Sequence, residues 1–193
     1  MGEGTTSRPP SIIAPEAALV GAVKGLSDYG LLARPHWARL LTQFLAQDSR
    51  PIPPLLVHRL DAVDPSRAYY YLISFGGTAT TVGAVVRVNA ISGEYQETMA
   101  IPPSERRPWG ASAAEWGPRL SSTDPRAIDA SQALIWKPCR ESASPFYPFK
   151  VTTVDGQRRY IRIDGKTFDT LTDLPLAGAT RATDTPERGP GQP

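Results

Sequence analysis

The sequence predicts an α+β fold of two helix-plus-antiparallel-meander units with flexible tails. Two helical patterns near the start are followed by stretches of strand-like alternation, and a shorter version of the same order recurs in the second half. The recurrence suggests a structural duplication. The predicted segments are a tail over 1–14, a helical hairpin with an antiparallel sheet over 15–101, a linker over 102–123, a helix with a three-stranded meander over 124–175 and a tail over 176–193.

Two helices are expected at the start of the first unit. Pro15 suits a first helical turn, where its missing N–H leaves no hydrogen bond unmade, and Gly30 suits a C-cap. A second helix is expected from Pro35. Its apolar residues follow the spacing of a core-facing stripe: Trp37, Leu40, Leu41, Phe44 and Leu45. In the first helix the apolar side is predicted to carry Leu19, Val23 and Leu26.

Four strands are expected between the prolines at 51–54 and residue 101. Val86, Val88 and Ala90 alternate with Val85, Arg87 and Asn89, which is typical of a half-buried strand. Ser92-Gly93 predicts a tight turn into the last of the four strands. Because Tyr69, Tyr70 and Tyr71 alternate between faces, we expect one or two of the three rings to lie in the core.

The second unit begins with an N-cap signal, Asp124-Pro125, and a helical pattern that predicts a helix over 126–136. Three strand-like stretches follow residue 148. They are separated by Asp155-Gly156 and Asp164-Gly165, and Asp-Gly is among the strongest short-range hairpin signals. The sequence therefore predicts a three-stranded meander over 149–171.

The segments GAVVRVNAISGEYQE (83–97) and RRYIRIDGKTFDTL (158–171) resemble the strand-turn-strand part of PepSY-like modules. This resemblance implies a helix packed on a curved antiparallel sheet and a role in binding, with protease inhibition as the suggested activity. It implies no catalytic residues. The chain departs from the usual setting of such modules, since no signal peptide, peptidase or membrane segment is recognised beside the matching segments.

Composition argues against several classes of partner. The chain has 21 Lys and Arg against 19 Asp and Glu, and this near balance argues against a nucleic-acid-binding protein, which usually shows a clear basic excess. No apolar run reaches the roughly 18 residues of a membrane span. The single cysteine excludes an internal disulfide, so we expect a cytoplasmic protein without membrane association. No CxxC, HExxH or Cys/His cluster predicts a metal site, and no motif predicts a cofactor.

The stretch WKPCRESASPFYPFK (136–150) holds three prolines, four aromatic rings and the only cysteine. In a catalytic interpretation, Cys139 would be the nucleophile of a hydrolase or transferase, with His36 or His58 as its base. However, Cys139 follows a predicted helix C-terminus, where the helix dipole disfavours a thiolate. We therefore favour a structural role for Cys139.

The prolines of this stretch restrict the backbone, so we interpret it as a rigid apolar corner that joins helix to sheet. Its rings could instead form a preorganised docking surface for a partner. The predicted function is a non-enzymatic cytoplasmic protein-binding module, acting as an inhibitor, adaptor, chaperone or assembly subunit. Its partner would be another protein, and self-association into a homo-oligomer is a further option. The candidate contact residues are Phe146, Tyr147, Trp109 and Trp116.

A third interpretation is weak binding of nucleic acid or another anionic ligand. Arg158 and Arg162 have the same strand parity and Arg159 lies next to them, so the three could form a basic strip.

Overall fold

The fold is α+β, as the sequence predicts: a few short helices and one eight-stranded, mostly antiparallel sheet. The structure is a computed structural model that describes residues 11–45, 53–75, 82–101, 128 and 130–174. The predicted linker over 102–123, with Trp109 and Trp116, lies outside these residues, as does the predicted tail over 176–193.

Two α-helices and eight strands make up the described part of the chain. Helix α1 spans Pro15–Asp28 and α2 spans Pro35–Leu45, so both begin at the predicted prolines. Trp37 of α2 is buried, whereas the side chains of the other four stripe residues lie outside the described part. The strands are β1 (Leu55–Arg59), β2 (Tyr69–Phe75), β3 (Ala84–Asn89), β4 (Tyr95–Ala100), β5 (Leu134–Trp136), β6 (Phe149–Val154), β7 (Gln157–Arg162) and β8 (Thr167–Phe168).

The strands of both predicted units lie in one sheet, in the order β4-β3-β2-β1-β5-β6-β7-β8. The junction is the parallel pairing of β1 with β5, in which Val57 lies opposite Leu134; the other pairings are antiparallel. A parallel pair needs a long crossover connection, and here the whole segment between β1 and β5 supplies it. The two segments therefore share a sheet, and the duplication stays a prediction.

Helix α1 contacts the sheet through its small residues. Ala18, Ala22, Gly25 and Leu26 are buried, whereas the predicted stripe residues Leu19 and Val23 are only half-buried. Because the contact face has small side chains, the helix axis lies close to the β3–β4 hairpin. A Cβ atom on Gly21 would overlap the carbonyl oxygen of Gly93, and one on Gly25 would overlap Tyr95.

The segment that precedes α1 is not a free tail over residues 11–14. The backbone N–H of Ile13 donates to the carbonyl of Ala90 at 2.9 Å, and the hydroxyl of Tyr71 donates to the carbonyl of Ile13 at 2.9 Å. Ile12 and Ile13 also pack against the core. These two isoleucines thus contact the sheet, because they supply apolar surface that low-complexity tails lack, and the tail boundary at residue 14 stays a prediction.

The core lies on both faces of the sheet. One cluster joins α1 and Trp37 to Leu56, Tyr71, Val86 and their neighbours; the other joins Leu55, Tyr70, Val85 and Leu134 to Phe146. Tyr70 and Tyr71 are both buried, so the prediction for the tyrosine triplet is confirmed. Strand β3 is buried on both faces at Val85 and Val86, so it is not the half-buried strand that its alternation suggested.

The helix predicted over 126–136 is wrong at its C-terminal end. Leu134–Trp136 is a β-strand, preceded by a 3-10 turn at Ala130–Gln132. The pairing with β1 and the burial of Leu134 and Trp136 outweigh a weak helical pattern, because tertiary packing overrides local propensity. Residues 126, 127 and 129 lie outside the described part.

Three of the predicted turns are confirmed. Asp155 and Gly156 both have positive φ (52° and 76°) and join β6 to β7 as a two-residue hairpin loop. Gly165 (φ 86°) lies in the turn between β7 and β8, and Gly93 (φ 76°) lies between β3 and β4. Their backbone conformations are those that glycine and, to a lesser degree, aspartate adopt readily.

Candidate functional site

The proline-aromatic stretch forms a corner that packs on the sheet. Phe146 is 5% exposed and belongs to the core cluster that includes Tyr70 and Trp136. The hydroxyl of Tyr70 donates to the carbonyl of Pro145 at 2.8 Å. Phe146 is therefore a core residue in this structure and not an exposed contact residue, while Tyr147 is half-buried beside it.

Arg162 of β7 holds the corner in place. Its guanidinium donates to both carboxylate oxygens of Asp164, at 2.8 and 2.6 Å, and to the carbonyl of Glu141. The same group lies 5.5 Å from the ring centre of Tyr147 and 5.6 Å from that of Phe168. Burial would raise the pKa of Asp164, but the bonds from Arg162 outweigh burial and lower it. The contacts of Arg162 with Glu141 and Tyr147 thus fasten the corner to β7, while the ion pair with Asp164 holds the guanidinium in place.

The corner also binds the segment that follows β8. The backbone N–H of Arg140 donates to the carbonyl of Thr172 at 2.9 Å, and the backbone N–H of Thr172 donates to the carboxylate of Glu141 at 2.8 Å. Lys137 forms an ion pair with Asp173. These contacts order residues 172–173, which lie at the end of the predicted meander unit.

The Cys139 thiol is buried within this corner. Cys139 is 0% exposed, and its sulfur atom lies 3.7 Å from the carbonyl oxygen of Ser142. Burial raises the pKa of the thiol, which disfavours the thiolate that a nucleophile needs. The groups that shift this pKa belong to Ser142 and Glu141, and among the described residues no histidine contributes.

Both histidines make contacts elsewhere. The ring of His58 stacks on Tyr69 with 4.6 Å between centres, and burial lowers the pKa of His58. The ring of His36 lies edge-on to Trp37 at 6.0 Å. The hydrolase or transferase interpretation therefore gains no geometric support, and it stays a prediction.

Cys139 is expected to resist thiol reagents. In the native protein, a disulfide reagent such as Ellman's reagent should react far more slowly with Cys139 than with the same thiol in denaturant, because burial blocks access and raises the pKa. The measurement is the reaction rate as a function of pH. A control with Val20→Cys, on an exposed helical position, should react rapidly under native conditions. Rapid native labelling of Cys139 at neutral pH would contradict this prediction.

The predicted basic strip is interrupted by ion pairs. Arg162 is bound to Asp164, and Arg159 lies 3.5 Å from the carboxylate of Asp169. Arg158 is exposed and forms no ion pair among the described residues. Of the three arginines, only Arg158 has no carboxylate partner among the described residues, so the strip is a poor match for a phosphate backbone.

A row of polar and aromatic side chains crosses one face of the sheet. The guanidinium of Arg87 lies 5.4 Å from the ring centre of Tyr70, and that of Arg59 lies 5.7 Å from the Trp136 ring. Each arginine has its own carboxylate, Glu97 at 3.1 Å for Arg87 and Asp61 at 2.9 Å for Arg59. Each positive charge of the row is paired with a negative charge, so the row does not form a charged binding site.

The distal half of the β6–β7 hairpin is the most exposed regular structure in the described part. We name residues 151–159 the β6–β7 arm. Val151 is 39% and Val154 40% exposed, and strand alternation places the two valines on opposite faces. Most of the remaining residues of the arm are exposed as well. The arm therefore presents apolar side chains to solvent on both of its faces.

The edges of the arm are open as well. Among the described residues, β5 pairs with β6 only at Ile135 and Phe149, and β8 pairs with β7 only at Tyr160 and Ile161. Isolated two-stranded hairpins are marginally stable in water, because neither face is packed. Against the other described residues, the arm is thus a strand pair with less packing than the rest of the sheet.

Comparison with known proteins identifies no relative. No protein-family model, no curated protein and no solved structure matches the chain. The resemblance to PepSY-like modules therefore stays a prediction. Within the described residues, no helix is long and apolar enough to cross a membrane, and no three His, Cys, Asp or Glu side chains form a group that could hold a metal ion.

Proposed function

We propose that the protein is a non-enzymatic, cytoplasmic protein-binding module that docks another protein on the β6–β7 arm. The proposal is supported above all by the exposure of the arm on both faces at Val151 and Val154. Exposed apolar side chains on a regular, preordered element are suited to partner binding, because little conformational entropy is lost on association. The cytoplasm, where thiols stay reduced, suits the single free Cys139.

The charges of the arm favour a particular partner surface. Arg158 is exposed and Arg159 is only partly neutralised by the exposed carboxylate of Asp169. A partner surface with an apolar groove and acidic groups around it would complement the valines and the arginines together. The arm replaces Phe146 as the proposed anchor, since the Phe146 ring packs in the core. Tyr147 is half-buried, while Trp109 and Trp116 remain candidate contacts outside the described residues.

The double variant Val151→Lys/Val154→Lys tests this proposal. The tagged variant should lose specific partners that the unchanged protein captures from its native lysate, because lysines abolish the apolar contact on both faces. Val20→Lys is the matched control, since Val20 is 68% exposed on α1, away from the arm. Quantitative mass spectrometry identifies the lost proteins, and titration calorimetry with each purified candidate then measures the affinity directly.

Two results would count against the proposed function. One is an identical set of captured proteins for the arm variant and for Val20→Lys. The other is a monomeric protein that captures nothing above background. Circular dichroism and thermal melting of both variants establish that the fold is kept, because exposed valines contribute little to the core.

A further inference from the structure

Within the part of the chain that the structure describes, one edge of β6 has backbone hydrogen-bonding groups without a partner strand. In a two-residue hairpin, the residues that flank the loop form a hydrogen-bonded pair, so Val154 and Gln157 bond to each other. The backbone N–H of Ile163 donates to the carbonyl of Pro148 at 3.0 Å, so at the other end of the hairpin the residue that bonds across is again even-numbered. The even-numbered residues of β6 thus bond to β7, and the odd-numbered residues direct their N–H and C=O groups to the other edge.

That edge is occupied at one end and open over the rest. Phe149 faces Ile135 of β5, whereas Val151 and Thr153 have no strand opposite them among the described residues. The stretch KVTTV has β-branched residues at four successive positions and contains neither proline nor glycine. Such an edge is a template for pairing with another strand. Most exposed edges are protected by a charge, a bulge or a proline, and the open part of β6 has none of these.

We propose that the open edge of β6 pairs antiparallel with β6 of a second copy of this chain. The inference rests on the proposed function, because it names one partner of the same arm. A two-fold axis makes such a contact self-complementary. Lys150 precedes the open stretch and Asp155 follows it, so antiparallel pairing brings unlike charges near each other at both ends, whereas parallel pairing brings like charges together.

The open groups determine the register of this pairing. Opposed residues of an antiparallel pair both face the partner or both face away, so Val151 and Thr153 are the residues that must bond across the interface. If Val151 of each copy lies opposite Thr153 of the other, both open residues are used in both copies. A two-fold axis beside Val151 would place Thr153 opposite Phe149 of the other copy, but Phe149 already pairs with β5. An axis beside Thr153 would place Val151 opposite Asp155, which lies in the turn.

The two-fold axis therefore passes beside Thr152, and the two copies of Thr152 form a non-hydrogen-bonded pair. Their Cα atoms would lie about 4.5 Å apart, within the range of about 4.4–6.8 Å that a disulfide spans. The contact is small, so the dimer should form and dissociate rapidly and depend on protein concentration. The valines on the two faces of the arm stay available to a different protein.

The first test is a crosslink. Thr152→Cys should form an intermolecular disulfide under mild oxidation, reversed by a thiol reductant, much faster than the control Arg158→Cys on the other strand of the arm. Cys139 is buried in both variants and does not compete. Equal crosslinking rates for the two variants would overturn the proposed pairing.

The second test is sedimentation of the full chain. The unchanged protein and Thr153→Ala should show a concentration-dependent monomer–dimer equilibrium, whereas Thr153→Pro should remain monomeric, because proline lacks the outward N–H while every hydrogen bond to β7 is kept. A monomer at every concentration overturns the dimer. If Val151→Lys/Val154→Lys still loses a heterologous partner in that case, the proposed function stands without it. If Thr152→Cys crosslinks but Val151→Lys/Val154→Lys captures the same proteins as the unchanged chain, the dimer stands and the proposed function fails.

Discussion

Replacing Gly21 by alanine is expected to lower the free energy of unfolding by about 3 kcal/mol, within the upper range for overpacked sites. In an exposed helix the same exchange would stabilise the protein by about 1 kcal/mol, because alanine has the higher helix propensity. Here the added Cβ would overlap the carbonyl oxygen of Gly93 in the β3–β4 turn. A backbone atom has no rotamer that relieves the overlap, so α1 must move away from the sheet.

Urea unfolding followed by circular dichroism measures this loss. Val20→Ala is the control, since Val20 is the neighbouring residue of α1 and is 68% exposed; its effect should stay within about 0.5 kcal/mol. A Gly21→Ala protein as stable as the unchanged chain would show that α1 does not approach the hairpin this closely. Gly25, whose added Cβ would meet the Tyr95 side chain, should behave similarly but can be relieved in part by movement of Tyr95.

Asp164→Asn is expected to lower the free energy of unfolding by about 3 kcal/mol near neutral pH, the usual cost of leaving one partner of a buried ion pair alone. The side chains of Asp164 and Arg162 are only 11% and 16% exposed. In the variant, a neutral amide oxygen replaces the carboxylate, so among the described residues the charge of Arg162 faces only neutral groups: that oxygen, the carbonyl of Glu141 and two ring faces. The proline-aromatic corner (136–150) should loosen when this pairing is lost.

The same variant has a defined pH dependence. The folded-state pKa of Asp164 lies below its unfolded value, so its contribution to stability is present above the unfolded pKa of about 3.9 and is lost as the pH falls through the folded pKa. The stability difference between the unchanged protein and Asp164→Asn should therefore shrink below about pH 4. Urea unfolding at several pH values measures this difference, and a constant difference would contradict the assignment.

Two comparisons make the Asp164 experiment specific. Asp169→Asn removes the exposed partner of Arg159, and an exposed pair should contribute no more than about 1 kcal/mol. The double variant Arg162→Met/Asp164→Asn should be less destabilised than the sum of its single changes, since it leaves no unpaired charge in the corner. Strict additivity would mean that the two side chains do not interact.

Local signals in the sequence predicted the parts of the fold that local physics controls. Asp155-Gly156, Asp164-Gly165 and Ser92-Gly93 mark turns because a positive φ is accessible to glycine and costly for most other residues. Pro15 and Pro35 mark helix starts for a similarly local reason. Together with the helical and strand-like periodicities, these signals predicted the α+β class and most of the strands along the chain.

Other features depend on residues far apart in the sequence, and no local pattern predicted them. The residues of β5 follow a helical pattern in the sequence. They form a strand because they pair with β1, which is distant along the chain. Likewise, α1 is buried through alanine and glycine because the β3–β4 turn comes so close, whereas periodicity pointed to its larger residues. Phe146 was a predicted contact residue for a partner, but its ring packs in the core among residues distant in sequence.

For the candidate site, the sequence by itself determined the hairpin of β6 and β7, its turn and its β-branched residues. Only the tertiary structure decided that this hairpin extends beyond its neighbours, with two exposed valines and an open edge at Val151 and Thr153. The physical reason is that strand propensity is a property of the residues themselves. Whether an edge or a face is covered depends on where the rest of the chain packs, which is a sum over contacts distant in sequence.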